Sequence, residues 1–462
     1  MPIEFSYLAV VFVVCIIWFS VLKRPLYEAM LMAFIAIVAM TSLITGEFSL
    51  AVVWGYIWDA MTTPSLYVIF VFILSASLLS KTSIIDDCIA IILSIFGRFR
   101  GGAGFVAIIG SSYMGSLSGS GPGNVATTGV FTIPAMKKSG FPAHLAANVE
   151  AHASTMGNMI PPAGMVAIAF DHLAKTQWGE AYTISQFWMV LWGVAVWFVI
   201  QRIVTLYVMC RHYKVEPMKK EDIPSFKASI KKGWKSILLP IIVFLPFMLN
   251  SVFEDFFVAQ LNAKSTSIAS SILLLIPSLI VVCGVLLSDK ETKARMTPGK
   301  IFGYMEKGML KVVPTAALVL FAYFVSNVFE TLGVEQAIGA VIQSMNLPKV
   351  ALILLIPLFT AVLGMLLPGS TQVKIFGGVI ISILAAAGVE PMLTAAMLLC
   401  ICGAMHGVTP PYCACVYTAM GIAESELKPT LLNCTIWILI HYLLSVIVLF
   451  GFLPIFGLVK VL

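Results

Sequence analysis

Stretches of about twenty apolar residues, the length an α-helix needs to cross a bilayer, recur from one end of this 462-residue chain to the other. With 60% hydrophobic residues, 11% charged residues and a mean hydropathy of +1.00, no segment remains that could form a soluble domain of useful size. The chain therefore reads as an all-α polytopic membrane protein. Its first apolar stretch, Phe5 to Leu22, has no basic region before it and is followed by Lys23 and Arg24, so it is expected to be a retained span, not a cleaved signal.

The net charge of +6 is concentrated where topology, not nucleic acid, accounts for it. Residues 211–235 form a hydrophilic linker with Arg211, Lys214, Lys219, Lys220, Lys227, Lys231, Lys232 and Lys235 against Glu216, Glu221 and Asp222. Cytoplasmic loops carry the excess of Lys and Arg, so this linker is placed inside. Alternating from it puts the N-terminus outside and brings Lys23/Arg24, Lys81/Arg98/Arg100, Lys137/Lys138 and the cluster from Lys290 to Lys311 inside. The acidic Glu47, Asp59, Asp171, Glu180, Glu254, Asp255, Glu330 and Glu335 then fall outside.

That alternation requires two apolar stretches to turn back within the membrane. The stretch of about 104–136 is interrupted by Ser118-Gly-Ser-Gly-Pro-Gly-Asn124, and that of about 351–387 by Leu367-Pro-Gly-Ser-Thr-Gln372; no continuous helix tolerates either run. Both read as re-entrant hairpins. A broken span follows each, at about 141–173 with Ser154 to Pro162 as its break, and at about 391–423 with His406 to Pro411 as its break. Gly121 to Pro161 covers 40 positions and Gly369 to Pro410 covers 41, so the halves align with an offset of about 248, which sets Asn124 on Gln372 and Gly140 on Gly388. A first repeat of 1–210 and a second of 236–462 follow, each with leading spans, a surface amphipathic segment, a hairpin, a broken span and a closing span. Five crossings plus a hairpin invert the second repeat relative to the first, an arrangement found in secondary transporters.

Within hydrocarbon, non-helical backbone survives only where it lines a cavity or is buried in protein. At a break the half-helix N-terminus suits an anion and the C-terminal carbonyls suit a cation. The side chains there, Ser118, Ser120, Asn124, Thr127, Thr155, Asn158, Ser370, Thr371, Gln372 and Thr409, are uncharged hard oxygen donors that fit Na⁺ better than a transition metal. A single Gly/Pro break is more often only a kink; recurrence at matched spacing is what points to a site.

The run from Gly115 to Lys138, then Val149-Glu-Ala-His-Ala-Ser-Thr155 leading to Ile160-Pro-Pro162, resembles the large, DctM-like membrane subunit of TRAP transporters (tripartite ATP-independent periplasmic), and within it the TAXI type. Gly364-Met-Leu-Leu-Pro368 and Thr409-Pro-Pro411 before Met420-Gly-Ile-Ala423 agree. The resemblance covers both hairpins and both broken spans and is looser elsewhere. It implies an elevator-type fold of the ion-transporter superfamily in a bacterial or archaeal cytoplasmic membrane. It also implies Na⁺-coupled uptake of an organic anion, usually a carboxylate, from an extracytoplasmic solute-binding protein. Carried onto this chain, one sodium site draws on Ser120, Asn124 and Gly157 and another on Gly364, Thr371, Gly407 and Thr409, with substrate between Ser118–Asn124 and Gly369–Gln372. The small membrane subunit, fused at the N-terminus in some relatives, is expected to be separate or missing.

Lys374, two residues past Gln372, departs from the small or apolar residues usual there. An intramembrane lysine is by default functional, so it is a candidate partner of a substrate carboxylate; the bland readings are snorkelling to the interface or pairing with a nearby carboxylate. Glu150, the one acidic residue clearly at depth, either holds the helix break by accepting backbone N–H bonds or relays protons. His152 and His406 read first as satisfied buried histidines, although His406 adjoins a break and could titrate. The nine cysteines, Cys15, Cys88, Cys210, Cys283, Cys400, Cys402, Cys413, Cys415 and Cys434, show no CxxC pair, so neither a disulfide framework nor a standard zinc site is expected around His406.

Other classes fit less well. A stand-alone Na⁺- or H⁺-coupled anion symporter without a binding protein is the nearest alternative. A membrane-embedded enzyme is disfavoured because HExxH, GxGD and GxxxxGK[ST] are missing from the sequence, and a channel because paired hairpins around a midplane site suit alternating access.

Overall fold

The structure is a computed structural model of the chain. It describes residues 3–458 apart from 47–48, most of 63–80, 119–120, 162, 219, most of 240–252, 262–264, parts of 335–346, 366 and 411–412. Every regular element among the described residues is helical, as the apolar patterning requires.

In chain order the helices are α1 (Glu4–Ile16, continuing as a π turn over Ile17–Val21), α2 (Leu26–Thr45), α3 (Leu50–Thr62), α4 (Ile84–Phe96), α5 (Gly102–Ser118), α6 (Gly121–Lys138), α7 (Ala143–Ser154), α8 (Met165–Ala174) and α9 (Ile184–His212). Then come α10 (Phe226–Gly233), α11 (Glu254–Leu261), α12 (Ser265–Leu287), α13 (Lys290–Arg295), α14 (Pro298–Thr331), α15 (Lys349–Gly364), α16 (Gly369–Ala386), α17 (Pro391–Leu398), α18 (Ala414–Ala423) and α19 (Leu427–Leu449). Four helices among the described residues are long and apolar enough to cross a membrane: Tyr27–Thr45, Ile184–His212, Gly369–Ala386 and Leu427–Leu449. On α9 the outward residues Val196, Ile200, Val204 and Val208 are exposed, and on α19 so are Leu432, Ile436, Leu439 and Leu443. An apolar stripe facing outward from a helix that is also apolar inward is suited to lipid, not water.

Helix ends fall where the sequence places its breaks. The α5/α6 and α15/α16 pairs are the two hairpins, and their second arms begin at Gly121 and Gly369 and end at Lys138 and Ala386, the same positions under an offset of 248. Each second arm closes with a glycine in the left-handed region, Gly140 at φ +86° and Gly388 at φ +81°. The residue after each glycine donates its N–H five positions back, Phe141 to Met136 O at 3.1 Å and Val389 to Leu384 O at 2.9 Å. This ending ties off the last carbonyls and lets the chain reverse into α7 and α17.

The broken spans differ in how they open. After α7 the chain runs through a 3-10 turn, Thr155–Asn158, and resumes helix at Met165. After α17 it widens first into a π turn, Leu399–Ala404, and resumes at Ala414. A Cβ on Gly369 would lie 2.6 Å from Cys402 O, so the second hairpin tip seats directly on the widened turn.

The basic linker is more ordered than a hydrophilic loop. It contains α10, which lies along the amphipathic α4 with Lys232 Nζ 3.4 Å from Asp87 Oδ1. Tyr113 on α5 donates its hydroxyl to Ser236 O at 2.6 Å. Small residues buried on the inner face of α10, Ser229 and Gly233, allow this docking: a Cβ on Gly233 would stand 2.8 Å from Asp87 Cβ.

Because nothing lies within 4 Å of a Cβ at Gly140, Gly140→Ala isolates the backbone term. The substitution is expected to cost about 1–2 kcal/mol, the penalty of a left-handed L-residue, read as a lowered thermal unfolding midpoint in detergent; an unchanged midpoint would contradict the turn geometry.

Candidate functional site at the helix breaks

The two breaks meet. Asn158 in the first donates Nδ2 to Gly403 O in the second at 2.8 Å, and a Cβ on Gly407 would lie 3.1 Å from Thr155 Cγ2. Glycine lets backbone approach backbone. A Cβ on Gly157 would stand 2.4 Å from Gly115 Cα, and one on Gly121 would stand 2.7 Å from Cys415 Sγ. Both hairpins are thereby pinned to the broken spans, α5 at Gly157 and α16 at Cys402 and Gly403.

The offset positions Asn124 and Gln372 do the same thing. Each is buried one turn into the second arm of its hairpin. Asn124 donates Nδ2 to Ser111 O at 2.6 Å and Gln372 donates Nε2 to Leu367 O at 2.9 Å. With the amide N–H committed, the oxygens Asn124 Oδ1 and Gln372 Oε1 have no hydrogen-bond partner among the described residues, and neither has Thr371 Oγ1. A buried neutral oxygen without a donor is costly unless something positive is bound to it, so these residues fit a hard monovalent cation.

Around them the remaining expected residues are placed as follows. Gly157 lies against Gly115 beside the Asn124 amide, and Gly364 lies between Gln372 Nε2 and His406. Thr409 turns its hydroxyl onto Met405 O at 2.6 Å, Thr155 onto His152 O at 2.9 Å and Thr127 onto Gly123 O at 2.9 Å. Gly407 accepts from Cys415 N at 3.0 Å, and Ser370 is half-buried. Ser118 is the last residue of α5, and Ser120 lies outside the described residues.

Lys374 is set apart from the other expected residues. Two positions along a helix is about 200° of rotation, so it faces away from Gln372. Its Nζ lies 3.9 Å from the centre of the Tyr323 ring of α14 and the residue is 3% exposed, a cation–π contact, not a snorkelling pose. His406 presents Nδ1 to Gly403 O at 2.7 Å and so caps the second break. Among the described residues no cluster of three metal-ligating side chains forms.

Two features were missed in the sequence. Arg202, on the closing helix α9, is 1% exposed and donates Nε to His152 O at 2.8 Å, with Nη2 3.5 Å from Thr155 Oγ1 and 3.3 Å from His441 Nδ1. His441 Nε2 in turn lies 3.2 Å from Cys400 O. One guanidinium thus serves the carbonyl end of α7 and, through His441, reaches that of the second broken span. A lone arginine within an apolar stretch is a signal that was available. The second feature is the setting of Glu150: its carboxylate accepts hydroxyls from Ser111, Thr128, Thr132 and Ser154. It is held by side chains, not by the backbone N–H groups expected. Asn124, Thr128 and Thr132 share one face of α6 at a spacing of four, which was legible.

The family described as "Tripartite ATP-independent periplasmic transporter, DctM component" matches residues 10–456. The chain belongs to this TRAP transporter family. Its members are transport proteins, not enzymes. The C4-dicarboxylate TRAP transporter large permease protein DctM of Pseudomonas aeruginosa is 22% identical over 82% of both chains. The 2,3-diketo-L-gulonate TRAP transporter large permease protein YiaN of Escherichia coli is 20% identical over 84% of this chain and 85% of its own. Among solved structures, MtrF of Neisseria gonorrhoeae superposes with a TM-score of 0.63 at 13% identity, covering 91% of this chain and 93% of its own. YdaH of Alcanivorax borkumensis gives 0.53 at 14% identity, over 84% and 85%. These two likenesses speak to the fold, that of membrane transporters.

Gly157→Ala is expected to lose folded protein, since the overlap with Gly115 can be relieved only by parting hairpin from span, at a cost of more than about 2 kcal/mol. Arg202→Gln, which leaves His152 O without its charged donor, is expected to cost about 1.5–3 kcal/mol, with Arg202→Lys between it and wild type. Thermal unfolding in detergent checks all three.

Proposed function

We propose that this chain is the large permease subunit of a TRAP transporter of the TAXI type and carries an organic anion, a carboxylate, into the cell by coupling it to Na⁺. The observation that supports the reading most directly is the pair of amides, Asn124 and Gln372, each turned so that its buried oxygen meets no donor among the described residues. Neutral oxygens suit a cation that must be released again each cycle; a carboxylate would hold it more tightly. In this reading Asn124 and Gly157, with Ser120, hold one Na⁺, and Gly364, Thr371, Gly407 and Thr409 hold another. The substrate carboxylate meets the N-termini of α6 and α16, where the helix dipoles present positive ends. Ser118, Ser370 and Gln372 stand at those tips, with Thr127 and Thr155 nearby.

The matched helix ends under the 248 offset support two repeats, and the charge distribution supports their inversion. The hairpins and broken spans would then move as one elevator body against the other helices. Relatives are named for C4-dicarboxylates and 2,3-diketo-L-gulonate, and a fused form, the isethionate TRAP transporter permease protein DctMQ of Oleidesulfovibrio alaskensis, is matched over 52% of its length. On that basis the partners are an extracytoplasmic solute-binding protein and a separate small membrane subunit in a prokaryotic cytoplasmic membrane.

Proteoliposomes given an inward Na⁺ gradient and a panel of C4-dicarboxylates are expected to accumulate one of them only when its binding protein is added. Accumulation without the binding protein would favour a stand-alone symporter, and none under any condition would overturn the reading. Because Lys374 faces Tyr323, Lys374→Gln is expected to keep the wild-type apparent substrate affinity, measured in the same vesicles. Asn124→Ala and Gln372→Ala are each expected to raise the Na⁺ concentration for half-maximal uptake by about tenfold or more, the loss of one buried ion–dipole contact.

A further inference from the structure

Glu150 takes no part in the sites described so far, yet it is 0% exposed and forms no ion pair among the described residues. An unpaired charge at bilayer depth is expensive. Its surroundings answer this with hydroxyls from three helices. Oε1 accepts from Ser111 Oγ at 2.8 Å, Thr128 Oγ1 at 2.6 Å and Ser154 Oγ at 3.0 Å, and Oε2 accepts from Thr132 Oγ1 at 2.5 Å.

The hydroxyls have somewhere else to go. Thr128 Oγ1 lies 2.9 Å from Asn124 O, Thr132 Oγ1 lies 3.1 Å from Thr128 O, and Ser111 Oγ lies 2.9 Å from Thr128 Oγ1. A hydroxyl has one proton and two lone pairs. With Glu150 ionised, the protons point at the carboxylate. With a proton on Oε2, the acid O–H donates to Thr132 Oγ1, and Thr132 turns its own proton onto Thr128 O. Both charge states are satisfied by rotating hydroxyls, with no heavy atom displaced. A strut would need only one state.

Few other titratable groups face this carboxylate. From α18 the Cys415 thiol does; among the described residues of α5 and α6 only hydroxyls do. His152, on the same helix, is turned away to stack on Trp437 of α19 at 5.2 Å, and Arg202 of α9 and His441 of α19 lie on that side with it. Cys434 of α19 also faces His152. Thr132 also lines a cavity of about 290 Å³, with exposed Asp86 of α4, Ala103 and Val106 of α5 and Phe131 of α6.

We propose that Glu150 is a proton-binding site that loads and empties during transport, so that a proton taken from water on one side of the membrane is returned to water on the other alongside the cation and the anion. This rests on the transporter reading. The Asn124 that offers its Oδ1 to a cation also offers its backbone carbonyl to Thr128, so the proton site and the cation site share one turn of α6.

Infrared difference spectra of the purified protein in lipid, between about pH 5 and 9 where a perturbed buried carboxyl titrates, test the site without any substrate. A protonated-carboxyl band is expected that appears and vanishes reversibly, is missing in Glu150→Gln, and moves to a different pH in Thr132→Val, which removes the Oε2 donor but keeps the shape. A band constant across the range, or one that persists in Glu150→Gln, overturns the proposal. So does an unaltered titration in Thr132→Val. Vesicles with a pH gradient and no Na⁺ gradient test the coupling. Wild-type protein with binding protein is expected to accumulate a C4-dicarboxylate, and Glu150→Gln to lose that accumulation, since its side chain has no proton to load or release. Equal accumulation by both overturns it. Wild-type counterflow, which needs no gradient, reports the transporter reading by itself: its failure alongside a titrating band sinks that reading and leaves the proton site standing.

Discussion

A helix interrupted inside an apolar slab leaves carbonyls at one cut end and N–H groups at the other, and no water is at hand to take them. The whole middle of this protein is arranged around that debt. The carbonyl end of α7 is taken by a buried guanidinium, Arg202 on His152 O. The widened turn after α17 is taken by Asn158 and His406 on Gly403 O and by His441 on Cys400 O. Since Asn158 belongs to the first break and its acceptor to the second, the two breaks are tied to each other. Arg202 and His441, from the two closing helices, join them from behind.

Once the breaks are fixed in this way, the hairpins have few choices. Small residues allow backbones to touch, and the contacts of Gly115 with Gly157 and of Gly369 with Cys402 O set the depth of each hairpin. That depth is what places Asn124 and Gln372. Their side-chain N–H groups find local carbonyls, and their oxygens are left facing inward. The geometry expected to recognise a cation is therefore a by-product of how backbone groups are settled several residues away.

Much of this was legible in the sequence, because the breaks are written in Gly and Pro. The starts of α6 and α16 at Gly121 and Gly369, and the turns at Gly140 and Gly388, lie where the 248 offset puts them. Element ends read well since backbone conformation is local. Side-chain partners read poorly since they depend on which helices become neighbours. Glu150 is fully buried, but of its hydroxyl partners only Ser154 lies along α7; the others come from Ser111, 39 positions away, and from α6, and nothing along α7 names those. Lys374 drew attention by its position near the hairpin tip, whereas its environment is set by Tyr323 on α14, which spacing within one hairpin does not reveal.

Two charged groups near the breaks are held by neutral partners, Arg202 by carbonyls and Glu150 by hydroxyls, and Lys374 lies over the Tyr323 ring. Fixed ion pairs at the tips would compete with ligands, since a carboxylate there would repel an anionic substrate and an ammonium would repel the coupling cation. In the proposed function, neutral oxygens and helix ends would meet the ions instead, through interactions weak enough individually to be remade on either side of the membrane. The carboxylate that remains sits behind the first tip in a cage that tolerates either protonation state. It reaches the tip along two paths, through α6, where the carbonyl that Thr128 engages belongs to Asn124, and through Ser111 of α5, whose hydroxyl donates to the carboxylate and whose carbonyl accepts the Asn124 amide.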